Sequence, residues 1–216
     1  MKKIQYIIQS AFLLGVVTLT SCKKEFVNPN APTTDQVFSS ARGLVGVNIG
    51  NQRTFALGGA SVVYGVVTAN AFTTNEVILM NSGNTAEFQF SKGGSSVDAT
   101  NTVLGNIWTN SNKVIYDANS VITAAEALND KAYASGLIAH ASILKAMAYG
   151  SMSMLWEKVP GTVGANATFI DRMDGYAKAI AAIDFALGKI SANAISASYV
   201  SDAVAGIDYV NTLYAL

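Results

Sequence analysis

Apolar residues recur at steps of three and four along the second half of the chain, the spacing that places them on one face of an α-helix. The residues of the first series are Val103, Ile107, Val114, Ala118 and Val121. Trp108 lies beside this stripe, so we expect it to pack in the core. The series predicts a long amphipathic helix.

Three more helices are predicted after this one. The second runs from about Tyr133 to Trp156 and is stopped by Pro160 with Gly161. Its polar residues are so few that other helices should surround it. The third covers about 174–190, and the fourth starts near Asp202, a residue type favoured at helix N-caps. The apolar residues of the fourth helix are Ile207, Val210 and Tyr214.

The helical spacing of apolar residues is less regular before residue 100. Thr33 and Gln36 have the spacing of a capping box, which predicts a helix that starts beside them and continues past residue 45. The apolar run 60–71 fits a helix or a strand, and we favour a helix. Residues 72–100 have no helical period, and the stretch 87–90 alternates as a short strand or an extended loop does.

The helices follow one another in pairs, which favours a layout of helical hairpins. The stretch 175–187 is typical of one helix of a tetratricopeptide unit. We therefore predict a mostly all-α fold of tetratricopeptide-like hairpins with long irregular loops. The last helix reaches Leu216 without Gly, a basic final turn or a polar tail, so we expect the natural chain to continue.

Residues 1–21 have the layout of a secretory signal peptide: two lysines, an interrupted apolar stretch, then small residues. The tetrapeptide 19–22 resembles the bacterial lipobox, in which the thiol of the cysteine is lipidated after cleavage. Cys22 is the only cysteine, so we predict lipidation of Cys22 and a lipid-anchored tether over 22–32. The alternative is an ordinary signal peptide with a chance cysteine.

The composition argues against some classes of function. Charged residues are 13% of the chain, against about 25% in typical globular domains. The chain has 14 basic and 14 acidic residues, and removal of a leader with two lysines makes the remainder slightly negative. No basic patch interleaved with aromatics is present, which argues against nucleic acid as a partner.

The sequence contains no recognisable set of catalytic residues. His140, the only histidine, lies among Ala and Leu inside a predicted helix and has no second His or Cys as a metal partner. Asp171 and Asp174 flank Arg172 in a pattern typical of a helix start. Nucleophile elbow, phosphate loop and dinucleotide fingerprint are all missing. We predict that the protein is not an enzyme and uses no metal or cofactor.

Several stretches occur in a fixed order along the chain: "NPNAPTTDQVF" after Cys22, the pair Asn75-Glu76, "IWTNSNKVIYDANSVI" (107–122) and "LKAMAYGSMSMLWEKVP" (144–160). Together they resemble the N-terminal half of the SusD/RagB family, and "YVNTLYAL" (209–216) is similar to the start of a further family helix. The resemblance implies that residues 33–216 are the N-terminal part of a SusD-like helical domain whose C-terminal half is absent here.

The resemblance also implies a function. Members of the family are outer-membrane lipoproteins of Bacteroidetes that face the cell surface, capture glycans or in some branches peptides, and cap a SusC-like TonB-dependent transporter. Two interpretations from other functional classes stay open. One is a helix-pair scaffold for protein contact with no small ligand, and the other is a surface hydrolase whose site lies in the absent half.

The resemblance also implies that irregular loops, rather than helices, carry the ligand site. The segment 72–98 is the longest such segment, and sugars are bound by aromatic faces together with amide and carboxylate groups. Its candidate ligand-binding residues are Phe72, Asn75, Glu76, Asn81, Asn84, Phe88 and Phe90. Gln89 lies between the last two. The alternative is that Phe88 and Phe90 fix the loop to the core.

Overall fold

The described part of the chain is mostly helical. The computed structural model describes residues 33–204 and 206–216, so the predicted signal peptide (1–21), Cys22 and most of the tether lie outside it. The helices are α1 (Thr34–Phe38), α2 (Ala41–Ala56), α3 (Val62–Thr73), α4 (Thr85–Lys92), α5 (Thr102–Glu126), α6 (Lys131–Leu155), α7 (Arg172–Ala192), α8 (Ala197–Asp202) and α9 (Tyr209–Ala215). Two short strands, β1 (Lys158–Pro160) and β2 (Phe169–Asp171), pair antiparallel. The predicted all-α class is confirmed.

Side-chain caps set the starts of the three long helices. Asn101 Oδ1 accepts hydrogen bonds from the first backbone N–H groups of α5, and Asp130 does the same for α6. Asp171 caps α7, which confirms its assignment to a helix start. Such caps are worth about 1 kcal/mol each because they satisfy N–H groups that have no partner within the helix.

α6 is the central element of the core. It packs against both α5 and α7, and almost all of its residues between Tyr133 and Tyr149 are buried. This explains why its sequence is apolar all round. The predicted face of α5 is also confirmed, because all five residues of that stripe are buried.

Successive long helices form the expected pairs. α5 and α6 are joined by residues 127–130 only, and such a short connection makes the two helices antiparallel neighbours. The helix-pair layout is therefore compatible with a tetratricopeptide-like arrangement. Among the described helices, none is long and apolar enough to cross a membrane.

The predicted second long helix, from about Tyr133 to Trp156, is confirmed within two residues at each end. α6 ends at Leu155, because Trp156 is already extended, and Pro160 lies within β1, opposite Phe169. The chain is extended after α6, and Val159, which is fully buried, enters the core from β1.

The predicted fourth helix differs from the structure in its start and in its buried face. Asp202 ends α8 instead of starting a helix, and Asp208 caps α9. Gly206, with φ 83°, lies in the connection between them. The buried residues of α9 are Tyr209 and Leu213, whereas Tyr214 is exposed, so the predicted stripe is displaced by one position.

The N-terminal region contains one more break than the pattern predicted. The single helix expected from residue 34 past residue 45 is divided into α1 and α2, because Ser40 adopts an extended conformation and its hydroxyl accepts a hydrogen bond from Gly43 N. The apolar run 60–71 is helical, as favoured, and forms most of α3.

Candidate functional site

The candidate segment begins with a left-handed helix cap. Asn75 has φ 60°; its N–H donates to Phe72 O, and the N–H of Glu76 donates to Ala71 O at 2.9 Å. This is the Schellman pattern, in which the residue after the helix must be left-handed. Asn adopts that conformation more readily than most residues other than Gly. Asn75 therefore has a backbone role, while its side chain remains exposed.

The stretch predicted as a short strand or extended loop is a helix. Residues 85–92 form α4, with Glu87 in the first turn, Lys92 in the last turn and Gly93 after it at φ 67°. The charges are placed to favour the helix dipole, and the left-handed glycine ends the helix. The segment 72–98 is thus only partly irregular, and the prediction that it has no helix is wrong.

The phenylalanines of the segment divide into two kinds. Phe90 is 4% exposed and Phe72 packs against the same hydrophobic cluster, so both fix the segment to the core. Phe88 is 38% exposed, and the ammonium of Lys92 lies 5.3 Å from the centre of its ring. Only Phe88 of the three offers a face to a ligand.

The four polar candidates all reach the surface. Asn75, Glu76, Asn81 and Asn84 are exposed. Asn81 Oδ1 accepts a hydrogen bond from Gly83 N at 2.9 Å, and Asn84 precedes α4 without making a side-chain cap. The segment therefore presents amide and carboxylate groups to solvent, and Asn84 keeps its amide free for an outside partner.

A polar network attaches α4 to the start of α5. Asn101 Nδ2 donates to Gln89 Oε1 at 2.7 Å, and Gln89 Nε2 donates to Asp98 Oδ2 at 2.7 Å. Hydrogen bonds from the hydroxyl and backbone N–H of Thr100 lower the pKa of Asp98. Gln89 is thus a structural residue, and the network orders the region beside the exposed candidates.

An aromatic group that the sequence pattern did not indicate lies at the β-hairpin. The ring of Phe169, which is 60% exposed, stacks on Trp108 with centres 6.1 Å apart. Trp156 contacts Trp108 edge-on at 5.3 Å. Trp108 is half-buried against the core, as expected, yet its outer face is covered by Phe169. The pattern did not indicate Phe169 because Phe169 and Ile170 form only a short apolar pair after a polar stretch.

His140 is a packed residue. Its Nε2 lies 3.1 Å from Gln52 Oε1 and its Nδ1 lies 3.1 Å from the hydroxyl of Tyr199. Because the Gln52 carbonyl can only accept, Nε2 carries the proton and Tyr199 donates to Nδ1. Burial lowers the pKa of His140 to about 4, so the ring is neutral near pH 7.

The described residues contain no group of three or more His, Cys, Asp or Glu side chains that could hold a metal ion. Comparison of the chain with protein-family models, with curated proteins and with solved structures found no match.

Proposed function

We propose that the protein is an outer-membrane lipoprotein that captures an oligosaccharide and passes it to a TonB-dependent transporter. The observation that carries this proposal is the exposed segment 74–92. It displays three amides, one carboxylate and one aromatic face on a segment that Phe72 and Phe90 fix to a helical core. The resemblance to the SusD/RagB family supplies the nature of the ligand and of the partner.

The chemistry of the segment supports a sugar ligand. Amide groups both donate and accept hydrogen bonds, as sugar hydroxyls do, and the ring of Phe88 can pack against the C–H face of a pyranose. Because α4 and the cap at Asn75 already order the segment, little conformational entropy is lost on binding. Exposed contacts remain individually weak, so we expect micromolar or weaker affinity.

The first test measures glycan binding by calorimetric titration of the chain against a panel of oligosaccharides. The variant Asn75→Gly, Glu76→Ala, Asn81→Ala, Asn84→Ala should bind about tenfold or more weakly, because each lost hydrogen bond is worth about 1 kcal/mol. Glycine is used at residue 75 because alanine would strain the left-handed cap. The melting temperature should change little, since all four side chains are exposed.

A pair of aromatic variants serves as the matched control. Phe88→Ala should weaken glycan binding, whereas Tyr214→Ala, which removes a ring that is 73% exposed on α9, should not. Binding of peptides in place of glycans would assign the protein to a peptide-capturing branch. Binding of neither ligand would favour the protein-contact scaffold, and equal binding by all variants would contradict this site.

The second test concerns the anchor. A protein expressed with its leader in a suitable bacterial host should incorporate labelled fatty acid at Cys22 and sediment with membranes, because two or more acyl chains give stable anchoring. The Cys22→Ser variant should lose both the label and the membrane association. Equal labelling of wild type and variant would contradict lipidation.

A further inference from the structure

A cleft lies between the three long helices, and the charged residues that line it are two lysines. Its volume is about 590 Å³, and residues 161–163 after β1 close one side. The helical residues along it are Asn119 and Ile122 of α5, Ser142, Lys145 and Tyr149 of α6, and Lys178, Ala181, Ala182 and Phe185 of α7. Their spacing of three and four places each set on one helix face.

The cleft contains two cations and no carboxylate. Lys145 and Lys178 are the charged residues among those that line it, and neither takes part in the ion pairs of the described residues. Asp174 lies one turn before Lys178 on α7 but is exposed and makes no ion pair with it. Burial and the charge of Lys178 lower the pKa of Lys145. The ammonium of Lys178 lies 6.0 Å from the centre of the Tyr149 ring, but no carboxylate among the lining residues balances the two charges, and a bound anion would do so.

A buried hydroxyl in the cleft has no hydrogen-bond partner among the described residues. Ser142 is fully buried, and its Oγ makes no hydrogen bond within the described part of the chain. A buried hydroxyl without a partner costs about as much as a lost hydrogen bond. Ser142 lies three positions before Lys145, so the hydroxyl and the ammonium belong to the same face of α6.

We propose that this cleft binds a small organic anion, with Lys145, Lys178 and Ser142 contacting its carboxylate, sulfate or phosphate oxygens. Ammonium groups bind such oxygens as charge-assisted donors, and the serine hydroxyl adds a neutral donor. The remaining wall is mostly apolar, from Ile122, Val163 and Phe185, which suits a ligand with a partly apolar body of one or two rings. The site is separate from the segment 74–92 and does not depend on the proposed glycan site.

The experiment titrates the chain with glucuronate, glucose 6-sulfate and glucose 6-phosphate, using glucose and inorganic sulfate as comparison ligands. The sugar anions should bind, glucose should not, and inorganic sulfate should bind more weakly because it leaves the apolar wall empty. Lys145→Met and Lys178→Met should each weaken binding about tenfold, the usual scale of one charge-assisted contact. Comparing the three anions identifies which oxyanion the cleft prefers.

Lys131→Gln is the matched control. It removes one positive charge at the exposed start of α6, where the ammonium donates to Glu126 O, so anion binding should stay within about twofold of wild type. The Lys145→Met and Ser142→Ala variants should melt at the same or a higher temperature without ligand, since the first removes a half-buried ammonium without an ion pair and the second a buried hydroxyl without a hydrogen bond. If Lys145 or Ser142 served only to stabilise the fold, its replacement would lower the melting temperature.

Three results would overturn the proposal: no binding by any of the sugar anions, equal binding by wild type and the Lys145→Met, Lys178→Met double variant, or equal binding of glucuronate and glucose. Inorganic sulfate binding as tightly as the sugar sulfate would contradict the role of the apolar wall. None of these results affects the Asn75 to Phe88 variants, so the two sites are tested independently.

Discussion

Replacing Gly136 by alanine is expected to lower the free energy of unfolding by about 3 kcal/mol, although alanine is the better helix former. A Cβ atom on Gly136 would lie 2.5 Å from Cγ and 2.8 Å from Cε1 of Tyr199. Tyr199 is fully buried, and its hydroxyl is held by His140. The ring therefore cannot move aside without breaking that hydrogen bond or separating α6 from α8.

Gly150 provides a control in the same helix. A Cβ atom there would meet nothing within 4 Å, so Gly150→Ala should raise the free energy of unfolding by about 0.5–1 kcal/mol through helix propensity alone. Urea denaturation of both variants measures the two effects. Equal stability of the Gly136→Ala and Gly150→Ala proteins would contradict the tight packing of Tyr199 on α6.

The long helices could be predicted because periodicity extends over many turns. α5 and α6 each contain 25 residues, so a misplaced residue hardly changes the pattern, and polar caps mark their starts. α4 and α8 contain only 8 and 6 residues. One or two turns give too few apolar positions for a period, and such helices form because tertiary contacts stabilise them.

The exposure of Phe88 and Phe90 could not be read from their spacing. Residues two apart lie on the same face of a strand but on nearly opposite sides of a helix. An extended stretch would therefore have buried or exposed both rings, whereas α4 buries Phe90 and exposes Phe88. The cleft was missed for a different reason, since Lys145 and Lys178 are distant in sequence and only the packing of α6 on α7 brings them together.

His140 belongs to a buried polar cluster that joins four helices. Its ring contacts Gln52 of α2 and Tyr199 of α8 through hydrogen bonds, and it packs 5.3 Å from the ring of Tyr209 of α9. Burial of the ring disfavours its charged form, because the imidazolium would lose the water that stabilises it. Protonation should therefore oppose folding.

We expect stability to fall by about 3 kcal/mol between pH 6.5 and pH 4 as a result of His140 alone. Its pKa is near 6.5 in the unfolded chain and about 4 in the folded protein. The unfolded state therefore binds more protons throughout this range, so stability is fully present above pH 6.5 and is lost as the pH falls towards 4. Denaturation of wild type and His140→Gln at several pH values isolates this contribution, because carboxylates titrate in both proteins. Parallel stability curves, or an NMR midpoint near 6.5 for His140, would contradict the prediction.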